Sequence, residues 1–346
     1  MKKALKILGV EFTCDESGLS LVEVKKNEIK VVANLLASQV KIHKKYGGVV
    51  PHLAAREHKK NLPYLFKKLK KEVKNLDFDF IAFSAGPGLP PALVEGKKFV
   101  QKLAKKYKKK LLPVNHLLAH IFISFLKENK IILPPTPAIA LLVSGGHTEI
   151  FLIEGNFKKK FKIKMLGQTL DDAAGEAFDK VARMLGFPYP GGPEIEKIAK
   201  QAKSVNLKFP RPIIWQKNYN FSFSGLKTAV FYYLKNIKKI KKSLIASVAY
   251  EFQRSVFDVL LERTKRAIKE YNAKSFIIGG GVSANETLKE FFLKNLENVE
   301  IFWPAKNLST DNALMIAIAS LFYLKKGKKL KSPEKIDIDP NLKIDL

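Results

Sequence analysis

The 346-residue sequence predicts a duplicated α/β fold, paired α/β domains with a cleft between them, and three observations carry the prediction. A three-strand meander followed by alternating helices and strands occurs twice. Glycine-rich turns stand at corresponding places in the two halves. The length suits roughly two domains, each large enough to bury a sizeable core.

In the first half, short apolar runs bounded by polar turns mark strands at 5–10, 19–24 and 29–36, the first two joined by the polar turn 11–18. A helical stretch follows over about 51–73, then strand 80–83, a Gly-Pro-Gly turn, a helix over 92–107 and a short strand at 111–114. After the proline-rich stretch 134–137 the order restarts with strand 138–143, the turn Ser144-Gly145-Gly146, and strands 147–153 and 160–166. A helical insertion over about 171–271 interrupts the repeat. It resumes as strand 275–278, the glycine turn 279–281, a helix over 286–293, strand 300–303 and a final helix from Asp311. The expected domains are residues 1–114 with about 311–346, and residues 115–310. One glycine turn alone does no more than close a hairpin. Several matched turns facing each other across a cleft present backbone N–H groups that can cradle phosphates, and they predict a nucleotide ligand.

The 46% apolar and 27% charged composition is ordinary for a globular protein, and no apolar run approaches the ~18 residues a membrane span needs. Lys6, Glu11 and Asp15 break up the stretch after Met1, which therefore does not read as a secretory signal, and a cytoplasmic location is expected. The single cysteine, Cys14, can form neither an internal disulfide nor a thiolate zinc cage, so any metal must sit on histidine and carboxylate ligands. The net charge of +30 attracts polyanions. It accompanies many Phe, Ile and Asn, the residues of A/T-rich codons, and the lysine runs at 67–71, 105–110, 158–160, 238–242 and 325–331 fit solvated faces. Charge alone does not establish an RNA partner.

Five segments carry chemistry. His116 and His120 are four apart at an expected helix start, so both imidazoles project from one face and can share a metal ion. Zinc endopeptidases place a glutamate after the first histidine as general base; here Leu117 stands there, and a protease of that type loses its base. Asp311 serves equally as a helix cap or as a third, oxygen ligand from the other domain, and spacing does not decide between them. Asp172, Glu176 and Asp179 fall at helical spacing on one face, either a solvated acidic face or a ribose-binding one. Pro190-Gly191-Gly192-Pro193 is a rigid turn that permits close approach of a planar base. The segment 221–228 sets hydroxyls and Lys227 at a helix start, suited to a cap or to an anion.

With Leu8-Gly9-Val10-Glu11, Cys14-Asp15-Glu16, Ser38-Gln39-Val40, Tyr46-Gly47-Gly48-Val49-Val50-Pro51, Ala85-Gly86-Pro87-Gly88-Leu89, Leu142-Val143-Ser144-Gly145-Gly146-His147-Thr148, the 279–285 stretch and Thr310-Asp311-Asn312, these segments resemble the TsaD family, in the family's order over about residues 5–320. That family comprises the tRNA N6-adenosine threonylcarbamoyltransferases, formerly described as O-sialoglycoprotein endopeptidases. The wording of 46–51 and 221–228 is closer to its bacterial branch.

The resemblance implies a duplicated actin-like ATPase (ASKHA) fold built of two RNase H-like domains with an interdomain cleft. It implies transfer of a threonylcarbamoyl group from threonylcarbamoyl-AMP to N6 of adenosine 37 in tRNAs that read codons beginning with A. By position, His116, His120 and Asp311 would hold one divalent metal, iron or zinc, and Leu142, Val143, Ser144, Gly145, Gly146, Asp179, Gly192 and Asn285 would bind the adenylate. TsaB-like and TsaE-like proteins are the implied partners. The turn carboxylates Glu11, Asp15 and Glu16 are candidates to accept the proton of the attacking amine. Departures from the family pattern at Phe12, at His52 and across Pro90-Pro91-Ala92-Leu93-Val94-Glu95 fall on the N-terminal loop and the partner surface. A kinase or ATPase of the same fold would have little use for the histidine pair. A non-catalytic tRNA-binding scaffold would not need to retain His116, His120 and Asp311.

Overall fold

The computed structural model describes residues 4–203, 205–237 and 241–344; Lys238 and Lys239 of the lysine run 238–242 lie outside them. The chain forms two compact units. The first takes the residues up to Leu133, Asn156–Phe161 and those from Thr310 on, and the second Pro134–Gly155 with Lys162–Ser309. The first unit thus runs past the expected boundary at 114/115 and includes the His116–His120 segment.

In the first unit β1 (Leu5–Glu11), β2 (Glu16–Lys25) and β3 (Glu28–Ser38) form an antiparallel meander. Helices α1 (Val40–His43) and α2 (Pro51–Glu72) lead to β4 (Phe80–Gly86), α3 (Pro90–Tyr107), β5 (Lys110–Asn115) and α4 (His116–Phe122). A hairpin of β6 (Leu126–Lys127) and β7 (Lys130–Ile131) closes the run, giving the sheet order β5-β4-β1-β2-β3-β7-β6 with β1, β4 and β5 parallel. The second unit repeats the plan. Strands β8 (Ala138–Val143), β9 (Thr148–Gly155) and β10 (Phe161–Gln168) precede α5 (Ala174–Met184), α6 (Gly191–Ala199), α7 (Ser224–Lys235) and α8 (Lys242–Glu270). Strand β11 (Ser275–Gly279), α9 (Glu286–Asn295) and β12 (Glu300–Phe302) follow, and α10 (Ala313–Lys325) returns to the first unit. The second sheet runs β10-β9-β8-β11-β12, so third, second, first, fourth and fifth strands lie side by side in both sheets, and the duplication is real.

The central strands β4 and β8 are buried along their whole length, which is why they read as unbroken apolar runs. Helix starts follow local chemistry. Prolines at their first turns open α2 and α3, where a missing N–H costs nothing, and asparagines cap α4, α9 and α10. Leu62, Leu65 and Leu69 of α2 and Leu93, Val100 and Leu103 of α3 share one core with Leu8, Val10, Ile81 and Phe83 of the sheet. Helix α10 approaches β1 and β2 very closely. A Cβ on Gly9 would lie 2.3 Å from the Ala313 carbonyl oxygen, and one on Gly18 3.0 Å from the Ala313 nitrogen. Two glycines therefore seat the start of α10, and with it Asp311. Among the described residues no helix is long and apolar enough to cross a membrane.

Candidate metal centre and its surroundings

Strand β5 delivers the chain into α4 at Asn115, whose side-chain oxygen accepts from Leu117 N at 2.9 Å and Leu118 N at 3.1 Å. The cap fixes the first turn, and the i, i+4 spacing then sets the two imidazoles edge to face, with ring centroids 4.7 Å apart. At the head of α10 the cap is Asn312, whose oxygen accepts from Met315 N at 3.0 Å. Asp311 is one residue short of the cap, so the expectation that it begins the helix is corrected. Its Oδ1 lies 2.9 Å from His120 Nε2 and 3.6 Å from His116 Nε2. All three residues belong to the first unit, not to two units as expected. Their ligating atoms lie within 4.8 Å of one another, and two imidazole nitrogens with one carboxylate oxygen are a donor set suited to a transition metal.

Behind this group sits Glu11, fully buried at the end of β1. Its Oε2 accepts from His116 Nδ1 at 3.1 Å, and its Oε1 accepts from the Thr13 hydroxyl at 2.6 Å and Thr13 N at 2.7 Å. With the proton on Nδ1 kept by Glu11, a metal that displaced the one on Nε2 would meet a lone pair facing the cluster, the usual carboxylate–histidine support of a metal ligand. Burial alone would push the His116 imidazole down; the Glu11 and Asp311 carboxylates outweigh it and hold it up at about 9. Thr13 escaped the sequence reading. Its signal was the two-residue spacing from Glu11, which turns both side chains to the same side of extended chain.

Asp15 is buried, and its carbonyl oxygen accepts from Gln39 N at 3.0 Å. Glu16 Oε1 accepts from the Ser38 hydroxyl at 2.7 Å, and burial, with the nearby Asp15 and Asp311 charges, pushes the Glu16 carboxyl up to about 8 against that hydrogen bond.

The expected adenylate residues divide by what their surroundings permit. Leu142 and Val143 are buried core side chains of β8, so only their main chain can meet a ligand. Ser144 Oγ accepts from Gly146 N at 3.3 Å and His147 N at 3.0 Å and shapes the turn, while a Cβ on Gly145, Gly146, Gly192 or Gly281 would meet nothing within 4 Å. Those backbones present an open face. The Gly-Pro-Gly turn does not. A Cβ on Gly86 would lie 1.9 Å from Asp339 O and one on Gly88 2.7 Å from Thr13 O, so this turn braces the loop after β1, and its expected role as a phosphate cradle is corrected. Asp179 Oδ1 accepts from Gly191 N at 2.6 Å and fixes the Gly191-Gly192 turn at the head of α6. Asn285 caps α9 through Leu288 N at 2.8 Å and donates to Gln253 Oε1 at 3.1 Å.

The acidic block also departs from expectation. Asp172 precedes α5 and does not share a helix face with Glu176 and Asp179. It pairs with Lys180 and Lys227, both at 2.7 Å, and Lys180 also reaches Glu176 at 2.8 Å. Asp171 accepts from Ser222 Oγ at 2.5 Å, Phe223 N at 2.8 Å and Ser224 N at 3.2 Å. The anion suited to the 221–228 segment is thus the chain's own acidic block, and two motifs that looked like separate ligand sites satisfy each other.

A family profile described as TsaD: tRNA N6-adenosine threonylcarbamoyltransferase matches residues 30–318. The chain is 44% identical over 345 residues to the tRNA N6-adenosine threonylcarbamoyltransferase of Thermosipho melanesiensis, covering 98% of this chain and 99% of that one. It is 45% identical over 322 residues to the protein of the same name from Persephonella marina, covering 90% and 88%. Among solved structures, T. kodakarensis HypF superposes with a TM-score of 0.59 at 15% identity, over 95% of this chain and 48% of that one. Component A of the Acidaminococcus fermentans (R)-2-hydroxyglutaryl-CoA dehydratase gives 0.50 at 14% identity, over 94% and 99%. Likeness at such low identity speaks of fold alone, and the fold is of the actin-like ATPase (ASKHA) type.

Proposed function

This chain belongs to the TsaD family of tRNA N6-adenosine threonylcarbamoyltransferases, transferases of tRNA modification, and from that premise we propose that it carries the threonylcarbamoyl group of threonylcarbamoyl-AMP to N6 of adenosine 37 in tRNAs reading codons that begin with A. The observation that carries the reading is the convergence of His116, His120 and Asp311, with Glu11 behind His116. In the reaction the adenine N6 amine attacks the carbamoyl carbon. A C–N bond forms, the bond from that carbon to the phosphate oxygen breaks, AMP leaves and the amine surrenders a proton. The amine is a weak nucleophile, so positioning supplies much of the rate.

An iron or zinc ion held by His116, His120 and Asp311 would supply a Lewis acid for phosphate oxygens of the donor. Glu11 orients His116 and is a positioning residue, which leaves Asp15 and Glu16 as the candidates to accept the proton. The open backbones of Gly145, Gly146 and Gly192 bind the adenylate through main-chain N–H groups, with Asp179 and Asn285 holding the turns in shape. Leu142 and Val143 contribute only main chain. TsaB-like and TsaE-like proteins act with it in the cytoplasm, where its tRNA substrate resides. The test is nucleoside analysis of tRNA after incubation with labelled threonylcarbamoyl-AMP and those partner proteins. Labelled N6-threonylcarbamoyladenosine is expected, and label appearing only in hydrolysed donor would refute the proposal.

A further inference from the structure

The chain has two tryptophans, and the structure treats them oppositely. Trp303 is buried, and its indole N–H donates to Ser283 O at 2.8 Å. Trp215 is 91% exposed. Tryptophan offers a ligand both a flat π face and a polar edge.

The loop that carries Trp215 is built with care. Ile213 holds φ at 49°, a left-handed conformation that a β-branched residue adopts only when its surroundings enforce it. Those surroundings are two arginines of α8. Arg263, with none of its surface exposed, donates to Asn220 O at 3.1 Å, Ile214 O at 3.4 Å, Gln216 O at 2.5 Å and to the Ile213 carbonyl oxygen. Arg266 donates to the carbonyl oxygens of Gln216, Ile214 and Asn218, the last two at 3.4 Å. A buried guanidinium bonded to main-chain carbonyls holds the loop in one shape before any ligand arrives, which lowers the ordering cost of binding.

Charge says what the ligand is. No aspartate or glutamate occurs between Glu196 and Glu251, a segment with twelve lysines and arginines, and it includes the Trp215 loop. Gln216, Lys217 and Asn218 beside the indole are exposed, and so are Phe231, Tyr232 and Tyr250 of the same segment. Glu251 and Asp258 neutralise Arg211, and Asp172 neutralises Lys227, but the remaining cations, interleaved along the segment with exposed aromatics, have the composition of a surface that stacks bases and follows a phosphate backbone. The loop also continues directly into the open-turn region of the second unit. Asn220 and Phe221 lead to Ser222–Ser224 on Asp171, and α5 begins with Gly175 N donating to Ser144 O at 3.1 Å.

We infer that Trp215 is a nucleobase-stacking residue for the tRNA substrate, presented on a loop that Arg263 and Arg266 preform. The inference rests on the proposed tRNA reading but names a contact that reading does not require. It is tested on the full chain with an unmodified tRNA transcript. The difference in emission between wild type and Trp215→Phe isolates the Trp215 signal, which stacking on a base quenches. With partner proteins and donor added, Trp215→Ala should raise KM for tRNA about tenfold and move kcat less, with recovery in Trp215→Phe, whose ring also stacks. An unquenched signal with an unaltered KM, in a wild-type chain that does transfer, overturns the inference alone. Shielding of Trp215 by a partner protein but not by tRNA overturns it in favour of a protein contact. Quenching by tRNA in a chain that transfers nothing upholds the base contact while the proposed reaction falls.

Discussion

Glu11 gives up solvation entirely to hold His116, and this pairing is where the candidate centre is most exposed to test. Replacing it by glutamine keeps the shape and removes the charge. Glu11→Gln should weaken metal retention about 10–100-fold, as loss of a ligand's supporting carboxylate does, with the fold retained by circular dichroism. The double variant His116→Ala, His120→Ala should lose metal altogether. Elemental analysis of the folded proteins reads both, and full metal content in the double variant would remove the histidines from the site. Much of this was legible in the sequence. The i, i+4 histidines are read from spacing and residue type, whereas Asp311 joins them only through the family resemblance, since spacing leaves it as cap or ligand. Whether Asp311 or Asn312 caps α10 is not, because both are good caps and the choice rests on backbone geometry fixed by the packing of α10 on Gly9 and Gly18.

Between elements, the departure at Phe12 has a partner. The ring is fully buried, stacks on Phe83 with centroids 6.3 Å apart, and occupies the space above Gly96 of α3, where a Cβ would fall 2.0 Å from Phe12 Cδ2. Gly96→Ala should therefore destabilise the chain by about 1–3 kcal/mol in denaturant unfolding, despite alanine's better helix propensity, and Phe12→Leu should recover part of the loss. In the second unit the Asp172 cluster ties α5 to α7. Burial works to raise the Asp172 carboxyl, but the hydrogen bonds and charges of Lys180 and Lys227 outweigh it and hold it below the ordinary range. A depressed folded pKa contributes stability above the unfolded value of about 3.9 and loses it as pH falls through the folded value. Asp172→Asn should thus cost about 1–3 kcal/mol near neutral pH, and its gap to wild type should close below about pH 4. Equal gaps at pH 3 and pH 7 would show that the pair does not matter. The longer strands and helices were legible from apolar runs and prolines. The β6/β7 hairpin was not, since two residues per strand leave no pattern, and the Asp171–Ser224 pairing joins segments some fifty residues apart.

At the scale of the molecule, the duplication was visible as a repeated order of elements, and the five-strand order shared by the two sheets, to which the first adds the β6/β7 hairpin, matches it. The unit boundary was not. Helix α4 follows β5 without a break, and nothing in the residues 115–133 signals that they pack with the first unit. The charge of +30 was legible but uninformative, since any RNA will bind a chain so rich in lysine with strong salt dependence. The measurement that tests the central claim most directly is therefore a ratio. Transfer rates are compared, with partner proteins present, between a tRNA carrying unmodified adenosine 37 and the same tRNA with another base there. Phosphate contacts are equal in the two, so only base recognition and chemistry separate them. The account predicts transfer to the adenosine 37 tRNA alone, abolished by His116→Ala with His120→Ala. Equal transfer to both, or modification of adenosines along the RNA without preference, would contradict it.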